Sequence, residues 1–564
     1  MILGFFLVSF RGTCSPSCFL RYVAFTAALC VSTFVIARDN EAAPRSKEQV
    51  ADLYFTSWQY VATGDFGWVD TGGKNLPLWG DEGDESATFR PGAARGIRLV
   101  TQQPTRIKLD DRLGLDPAGM PGAMTILEDQ GRYQCWYTIH PNSNEGQASP
   151  LRGHNHYLCY AESDDGFTWN KPKLGLIDYE GSRDNNLVFA PTMGSPVRGM
   201  FGQGVFRDSI GASEERFKMV YMAHFTSEEV TAYRQKYPDD ILRAAVHSEG
   251  SAWGIAGAVS SDGIRWKPLA EPMLIDHPDS FNMACYDPLR DEYVLYFRTW
   301  VQDPRSVEGF QGRRAVARAF SKDFRHWNGK RTLLNTGADM PPAHVWYGPG
   351  RTSLPRCLDQ QVMFAFRWKL EDDTFETRLY STPDGESWSE VPGGPLLSPG
   401  QTGTWEGGYC MPCGDLVELP GDRWGLPYTG SPIPHKYPRV APEKRERHRG
   451  VAAARGYATW PRGRLVALEC DDSGQFSTIA IKPAGDHMFL NASIAADGMI
   501  KVSVRTPSGA VAERRIADCD PLQDRDGYAI PVTWHGEGSL LVKDQPVVLE
   551  FQLRKAALFG ITFR

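Results

Sequence analysis

The sequence predicts an all-β protein: a five-bladed β-propeller followed by a C-terminal β-sandwich. Three observations carry that expectation. A turn built on Ser, Asp, Gly and Trp recurs four times, as "ESDDGFTW" (162–169), "SSDGIRW" (260–266), "SKDFRHW" (321–327) and "STPDGESW" (381–388). Each copy closes a pair of short strands. The turn tryptophans, Trp169, Trp266, Trp327 and Trp388, stand 97, 61 and 61 residues apart. Repeats of this size, each holding about four strands, are the signature of a propeller.

The turn has a mechanical reading. Asp165, Asp262, Asp323 and Asp384 can accept hydrogen bonds from the N–H groups that follow them, as Asx turns do. Gly166, Gly263 and Gly385 permit positive φ, while the third copy carries Phe324 at that position. Each Trp then packs between neighbouring sheets. These Asp and Trp residues are read as structural.

The strands follow in order. "GRYQCWYTI" (131–139), "ERFKMVYMA" (215–223), "DEYVLYFRT" (291–299) and "QQVMFAFRW" (360–368) are aromatic and β-branched, as strands require. A fifth unit lacks the turn but keeps a strand pair over 413–430. The long first gap holds an insertion, in which "TSEEVTAYRQKY" opens with Thr226 or Ser227 followed by Glu residues and predicts a capped helix. After about residue 450 the pattern changes. "FLNASIAADGMIKVSVRTPSGAV" and "QPVVLEFQLRKAALFGITFR" read as long hairpins. The expected boundaries are therefore 96–450 for the propeller and 451–564 for the sandwich.

At the other end, Arg11 and Arg21 precede the apolar run "YVAFTAALCVSTFVIA" (22–37). That run is about 16 residues, short of the roughly 20 a membrane span needs. Residues 1–37 are read as a signal peptide, with a retained anchor as the alternative. The expected location is secreted or periplasmic. Residues 38–95 form an extension of no evident role. The formal net charge of −7 argues against a nucleic-acid partner, because nothing supplies a broad basic face. "CMPC" (410–413) is a lone Cys-x-x-Cys pair, too few ligands for a zinc site. No metal or other cofactor is expected.

Beyond these patterns the chain resembles secreted proteins related to glycoside hydrolase families 32 and 43, five-bladed propeller glycosidases of which family 32 carries a C-terminal β-sandwich. The resemblance rests on "LCYAESDDGFTWNKPKLGLIDYEGSRDNNLVF" (158–189), "YVLYFRTW" (293–300), "AVARAFSKDFRHW" (315–327), "FLNAS" and "LRKAALFGITFR". It implies three carboxylates around the central funnel: a base or nucleophile, a transition-state stabiliser and a general acid. The first-blade Asn-Asp-Pro-Asn-Gly motif of that group is missing. In its place stands "LDPAGMPGAMTIL" (115–127), where Asp116 is the nearest carboxylate. Asp287, in a second Asp-Pro pair, falls in a hairpin and is read as a turn residue.

Propeller topology nominates the funnel residues. Starts of first strands and ends of second strands share one mouth. Starts offer Asp116, Gln203, Asp279 with Asn282, Tyr347 and Glu406; ends offer His140, His224, Arg298, Arg367 and His435; a long loop adds Glu145, His154 and His156. Glu406, flanked by aromatics, is the first choice for general acid, Asp279 for base or stabiliser and Asp116 for nucleophile. Arg298 and Arg367 occupy matching positions in consecutive blades and would fork onto a carboxylate or sulfate. The remaining candidates for substrate binding are His140, His154, His156, His224, His435 and Tyr347. The leading expectation is a glycosidase acting on a carbohydrate. Two alternatives stand beside it: a sialidase-like hydrolase, with Arg313 or Arg314 as a third arginine, and a propeller that binds saccharide without cleaving it.

Overall fold

Five antiparallel sheets follow one another along the chain, each beginning at its innermost strand. The computed structural model describes residues 49–564 apart from 67, 70–74, 77–95, 110–122, 130, 140–155, 180, 194–198, 241, 243–245, 248, 280, 302–311, 437–450 and 543. Blade 1 comprises Met124–Asp129, Arg132–Ile139, Tyr157–Ser163 and Leu187–Phe189; blade 2 comprises Phe201–Arg207, Phe217–Phe225, Ala252–Ser260 and Lys267–Pro268. Blade 3 comprises Met283–Asp287, Glu292–Trp300, Arg314–Ser321 and Trp327–Leu334. Blade 4 has a broken inner strand, His344–Gly348 and Arg351–Leu354, against Cys357–Lys369, then Thr374–Thr382 and Ser389–Glu390. The inner strands crowd one another at the axis. A Cβ on Gly204 of blade 2 would sit 2.2 Å from the Asn282 carbonyl beside blade 3, so only glycine fits there.

Blade 5 is closed by the opposite end of the chain. Its inner pieces Tyr409–Pro412 and Val417–Leu419 pair with Arg423–Ser431, which pairs with Ala454–Pro461, which pairs with Thr105–Lys108. The register sets Tyr457 against Ile107 and Gly456 against Lys108. The fifth unit expected over 413–430 is therefore a full blade, and it runs past residue 450. The sequence hid its outer strand because the pairing is remote.

The four turns are built as their residues suggest. Each Asp Oδ1 accepts two backbone N–H groups: Phe167 and Thr168 for Asp165, Ile264 and Arg265 for Asp262, Arg325 and His326 for Asp323, Glu386 and Ser387 for Asp384, all at 2.6–2.8 Å. The hydroxyl two residues earlier, on Ser163, Ser260, Ser321 or Thr382, donates to the same carboxylate. Gly166, Gly263 and Gly385 have φ of 75°, 73° and 72°, and Phe324 adopts 66° in their place. Trp169, Trp266 and Trp327 are buried and Trp388 is partly buried, in the layers between blades. A neighbouring blade also reaches the turn's carbonyl. Trp136 Nε1 donates to Gly263 O at 2.6 Å, Tyr296 OH to Gly385 O at 3.1 Å and Tyr457 OH to Gly166 O at 3.1 Å. Three of the four turns thus belong to one blade and are tied to the preceding one, blade 5 preceding blade 1 around the ring, whereas the Phe324 carbonyl accepts from Trp327 of its own turn.

The insertion in blade 2 forms the helix Ser227–Lys236. Thr226 accepts from the Glu229 N–H, and the Glu229 carboxylate accepts from the Thr226 N–H at 2.9 Å. That reciprocal pair is the expected capping box. Asp287 is a turn residue, buried, with its carboxylate accepting the Leu289 N–H at 3.0 Å.

The last part of the chain forms a connected eight-stranded sheet rather than standing apart. Its long strands, Val466–Thr478, Met488–Thr506 and Val548–Phe563, carry register shifts that bend them. Three of its strands come from the amino-terminal side: Asp52–Tyr54, Val61–Gly64 and Ile97–Thr101. The extension read as having no evident role thus supplies two of them. Phe364, Leu379, Trp424 and Trp460 of blades 4 and 5 share one buried core with Leu490, Phe551 and Leu558 of this sheet. Residues 1–37 lie outside the described residues.

Candidate functional site

The mouth where first strands start and second strands end gathers polar and aromatic side chains from blades 3, 4 and 5. Asp279 precedes the inner strand of blade 3, and Arg298 lies near the end of its second strand. They meet as an ion pair at 3.0 Å, with Arg298 fully buried and the Asp279 side chain about one-third exposed (30%). Arg298 also donates to the His277 carbonyl at 3.4 Å. Its guanidinium lies 5.6 Å from the Trp300 ring and 5.7 Å from that of Tyr347. Arg298 and Trp300 are two residues apart on one strand and therefore share a face.

Tyr347, on the inner strand of blade 4, stands at the centre of this group. Its hydroxyl is 3.0 Å from His435 Nε2, and its ring contacts Trp368, Phe375 and His435. Burial drives the Tyr347 phenol well above its usual range, and the Asp279 charge adds to that shift. Beyond His435 lies Asp373, whose Oδ1 accepts the Trp368 Nε1–H at 2.9 Å and whose Oδ2 accepts the Lys436 N–H. The His435 N–H donates to the Asp373 carbonyl at 3.1 Å. Burial raises the Asp373 carboxyl above the ordinary carboxylate value, outweighing those two hydrogen bonds. Asp373 also holds φ at 60°, an uncommon backbone state for a non-glycine residue.

A second group lines the same mouth on blades 1 and 2. His156 is buried, with its ring 4.9 Å from that of Phe201. His224 Nε2 is 3.1 Å from Ser251 Oγ, which donates to Glu249 at 2.7 Å. The His224 ring also contacts Trp253 and His247. Deeper along the axis is a small cavity lined by Gln203, Thr125, Phe281 and Asp415, among others. Gln203 donates to the Ala123 carbonyl at 3.1 Å, and buried Asn282 donates to the Gly202 carbonyl at 2.9 Å. Burial raises the Asp415 carboxyl, against the opposing pull of Arg351 and a hydrogen bond from Thr352.

Two expectations need correction. Arg367 does not face the pocket that holds Arg298. It pairs with Glu376 on the adjacent strand at 3.0 Å and lies over Trp346. Matching arginine to arginine between "YFRTW" and "FRWK" slips the face by one residue, and a one-residue slip turns a strand side chain to the other side. Trp368, the next residue, takes the face of Arg298. Glu406 has its contacts within blade 5, from its inner, second and outermost strands. Tyr428 OH donates to it at 2.6 Å and Arg106, on the outermost strand, lies 3.4 Å away. Those partners set it apart from the Asp279–Arg298 pair.

Asp116, His140 and His154 lie outside the described residues, as does Glu145. Sequence reasoning missed Trp300, Trp368, Asp373 and Asp415, and named Arg314 only as a possible third arginine. Trp300 was within reach, since it shares the parity of Arg298. All eight described cysteines are free thiols. Cys410 faces Glu406 and the Ser398 carbonyl, whereas Cys413 faces Thr429, so this Cys-x-x-Cys pair does not converge. Among the described residues, no group of three or more His, Cys, Asp or Glu side chains is placed to hold a metal ion.

No protein-family model matches the chain. It is similar to an A type blood N-acetyl-alpha-D-galactosamine deacetylase of Flavonifractor plautii, 29% identical over 192 residues, covering 29% of this chain and 23% of that protein. An uncharacterised Mycobacterium tuberculosis protein is 28% identical over 188 residues, covering 33% of this chain and 51% of that protein. The chain therefore spans between about a quarter and a half of the length of these curated relatives. Among solved structures it is similar to a GH32 beta-fructofuranosidase of Bombyx mori, with a TM-score of 0.38 at 12% identity, covering 81% of this chain and 93% of that one.

Proposed function

We propose that this protein is a glycoside hydrolase-like propeller that holds a saccharide at the mouth formed by blades 3 to 5 and cleaves a glycosidic bond there. The observation that carries this reading is the convergence of Asp279, Arg298, Tyr347, Asp373 and His435, from strands and loops of three blades, on one mouth with aromatic walls. Trp300 and Trp368 wall this mouth with large aromatic surfaces. The sequence relative named for a deacetylase of N-acetyl-galactosamine is in keeping with a carbohydrate partner. The apolar run at 22–37 favours action outside the cytoplasm.

Glycoside hydrolysis uses two carboxyl groups in unlike environments, one protonated and one ionised. Burial holds Asp373 above its ordinary value and suits it to the acid role. In this reading Asp373 gives its proton to the departing glycosidic oxygen, while Asp279, ion-paired with Arg298, takes one from the attacking water. Glu406 is left a structural part in blade 5. In a hydrolysis assay over a glycan panel, Asp279→Asn and Asp373→Asn should each lower turnover by about 100-fold or more, while Glu406→Gln keeps most of it. Loss of turnover in a folded Glu406→Gln protein would return the acid role to Glu406 and overturn that of Asp373.

A second reading is favoured by one observation: buried amides, Gln203 and Asn282, stand at the inner strands where the resemblance implied carboxylates. A propeller with a saccharide pocket and no hydrolytic step would show calorimetric binding with no sugar released from any glycan in the panel.

A further inference from the structure

Arg314, the first residue of the third strand of blade 3, holds its guanidinium among three aromatic rings. The centroids of Trp300, Tyr347 and Trp368 lie 5.3, 5.2 and 5.1 Å from it. Arg298 approaches two of the same rings. Two guanidinium groups thus share one enclosure. The ion-pairing carboxylate on them among the described residues is Asp279, and it is bonded to Arg298. Arg314 Nη1, and Nε and Nη1 of Arg298, are buried without a hydrogen-bond partner among the described residues. Burial, with the neighbouring Arg298 charge, lowers Arg314 to about 10, which leaves it cationic at neutral pH.

A buried or half-buried cation without a partner is costly, and proteins rarely keep one without use. Aromatic faces grip the flat of a guanidinium and leave its edge N–H groups for in-plane hydrogen bonds. Carboxylate and sulfate are the groups that such an edge takes in a fork. Resting on the saccharide reading above, we propose that Arg314, supported by Arg298, is a subsite for an anionic group carried by the sugar, a carboxylate or a sulfate. The substrate class is then an acidic saccharide. The sequence placed this role on Arg298 and Arg367; the geometry moves its second half to Arg314.

Calorimetric titration of the full chain with galacturonate, galactose 6-sulfate and galactose tests the subsite and separates its two sources. At least one anionic sugar should bind ten-fold or more tightly than galactose, and whichever does so names the group. Raising NaCl from 50 to 500 mM should weaken that sugar and leave galactose unchanged. Arg314→Met, with an unchanged melting temperature, should reduce the anionic sugar to the galactose level, and Arg314→Lys should recover part of the difference. The salt series needs no variant, so a substitution that fails to fold does not blunt the test. Equal affinity for all three sugars overturns the subsite and leaves the saccharide reading standing. No binding of any of them, or of any glycan in the hydrolysis panel, overturns both.

Discussion

Phe324 stands where the other three turns have glycine, and it holds φ at 66°. Its ring is fully buried against Phe206, Tyr293 and Trp327. Two effects oppose each other there. Left-handed backbone at a non-glycine residue costs about 1–2 kcal/mol, whereas removing a buried Phe side chain costs about 3–5 kcal/mol. Burial wins, so Phe324→Gly should destabilise by about 2–3 kcal/mol in urea unfolding despite restoring the common turn residue. A stabilised variant would mean that backbone strain outweighs packing at this turn. The same scale shows why parts of the site were legible and others were not. Asp279, Arg298, Tyr347 and His435 were found because their place at strand ends follows from blade order alone. Arg367 was misplaced because sequence identity across blades does not fix which side of the strand a residue faces. Asp373 was missed because its position in a tight turn after Lys369 looks like any solvated acidic loop, "EDDT", until Trp368 and Lys436 are seen to close on it.

At the scale of the element, the recurring turn is a charged device. Burial opposes ionisation at Asp165, Asp262, Asp323 and Asp384, yet the backbone N–H bonds and the turn hydroxyl outweigh it, and all four carboxyls titrate below their usual range. A carboxyl with a depressed folded value contributes stability that is fully present above its unfolded value, near pH 4, and is lost as the pH falls through the folded value. Asp262→Asn keeps an acceptor but no charge. It should cost about 1–2 kcal/mol at pH 7, and the gap from wild type in urea midpoint should narrow at pH 3. A gap that stays constant with pH would show that the charge is idle. This element was fully readable, because the Asp, Gly and hydroxyl positions each answer a local hydrogen-bonding need within seven residues. The outer strand of blade 5 was not, because Thr105–Lys108 finds its partner in Gly456–Thr459 and no local pattern records so distant a pairing.

For the whole molecule, the connections cross between the propeller and the C-terminal sheet twice. Ile97–Thr101 pairs in the sheet and Thr105–Lys108 in blade 5, while Ala454–Pro461 pairs in blade 5 and Val466–Thr478 in the sheet. The Trp460 Nε1–H donates to the Gln102 carbonyl at 2.6 Å, fastening the two crossings together. With a shared core beneath them, the two parts should melt as one. Scanning calorimetry of the full chain is expected to give a single endotherm whose van't Hoff and calorimetric enthalpies agree. Two resolved transitions would show that the shared core does not couple them.

The closure of blade 5 also sets an order of events during synthesis. Thr105 and Thr459, bonded across the last gap of the ring, are separated by 354 residues. At roughly 5–20 residues per second, the amino-terminal strands leave the ribosome about 20–70 s before their partners exist. Over that interval they carry unpaired strand edges and apolar side chains, the features that invite wrong pairing. The ring that makes the finished protein cooperative therefore leaves its amino-terminal strands, from Asp52 to Lys108, waiting longest, and holds them for the last step of folding.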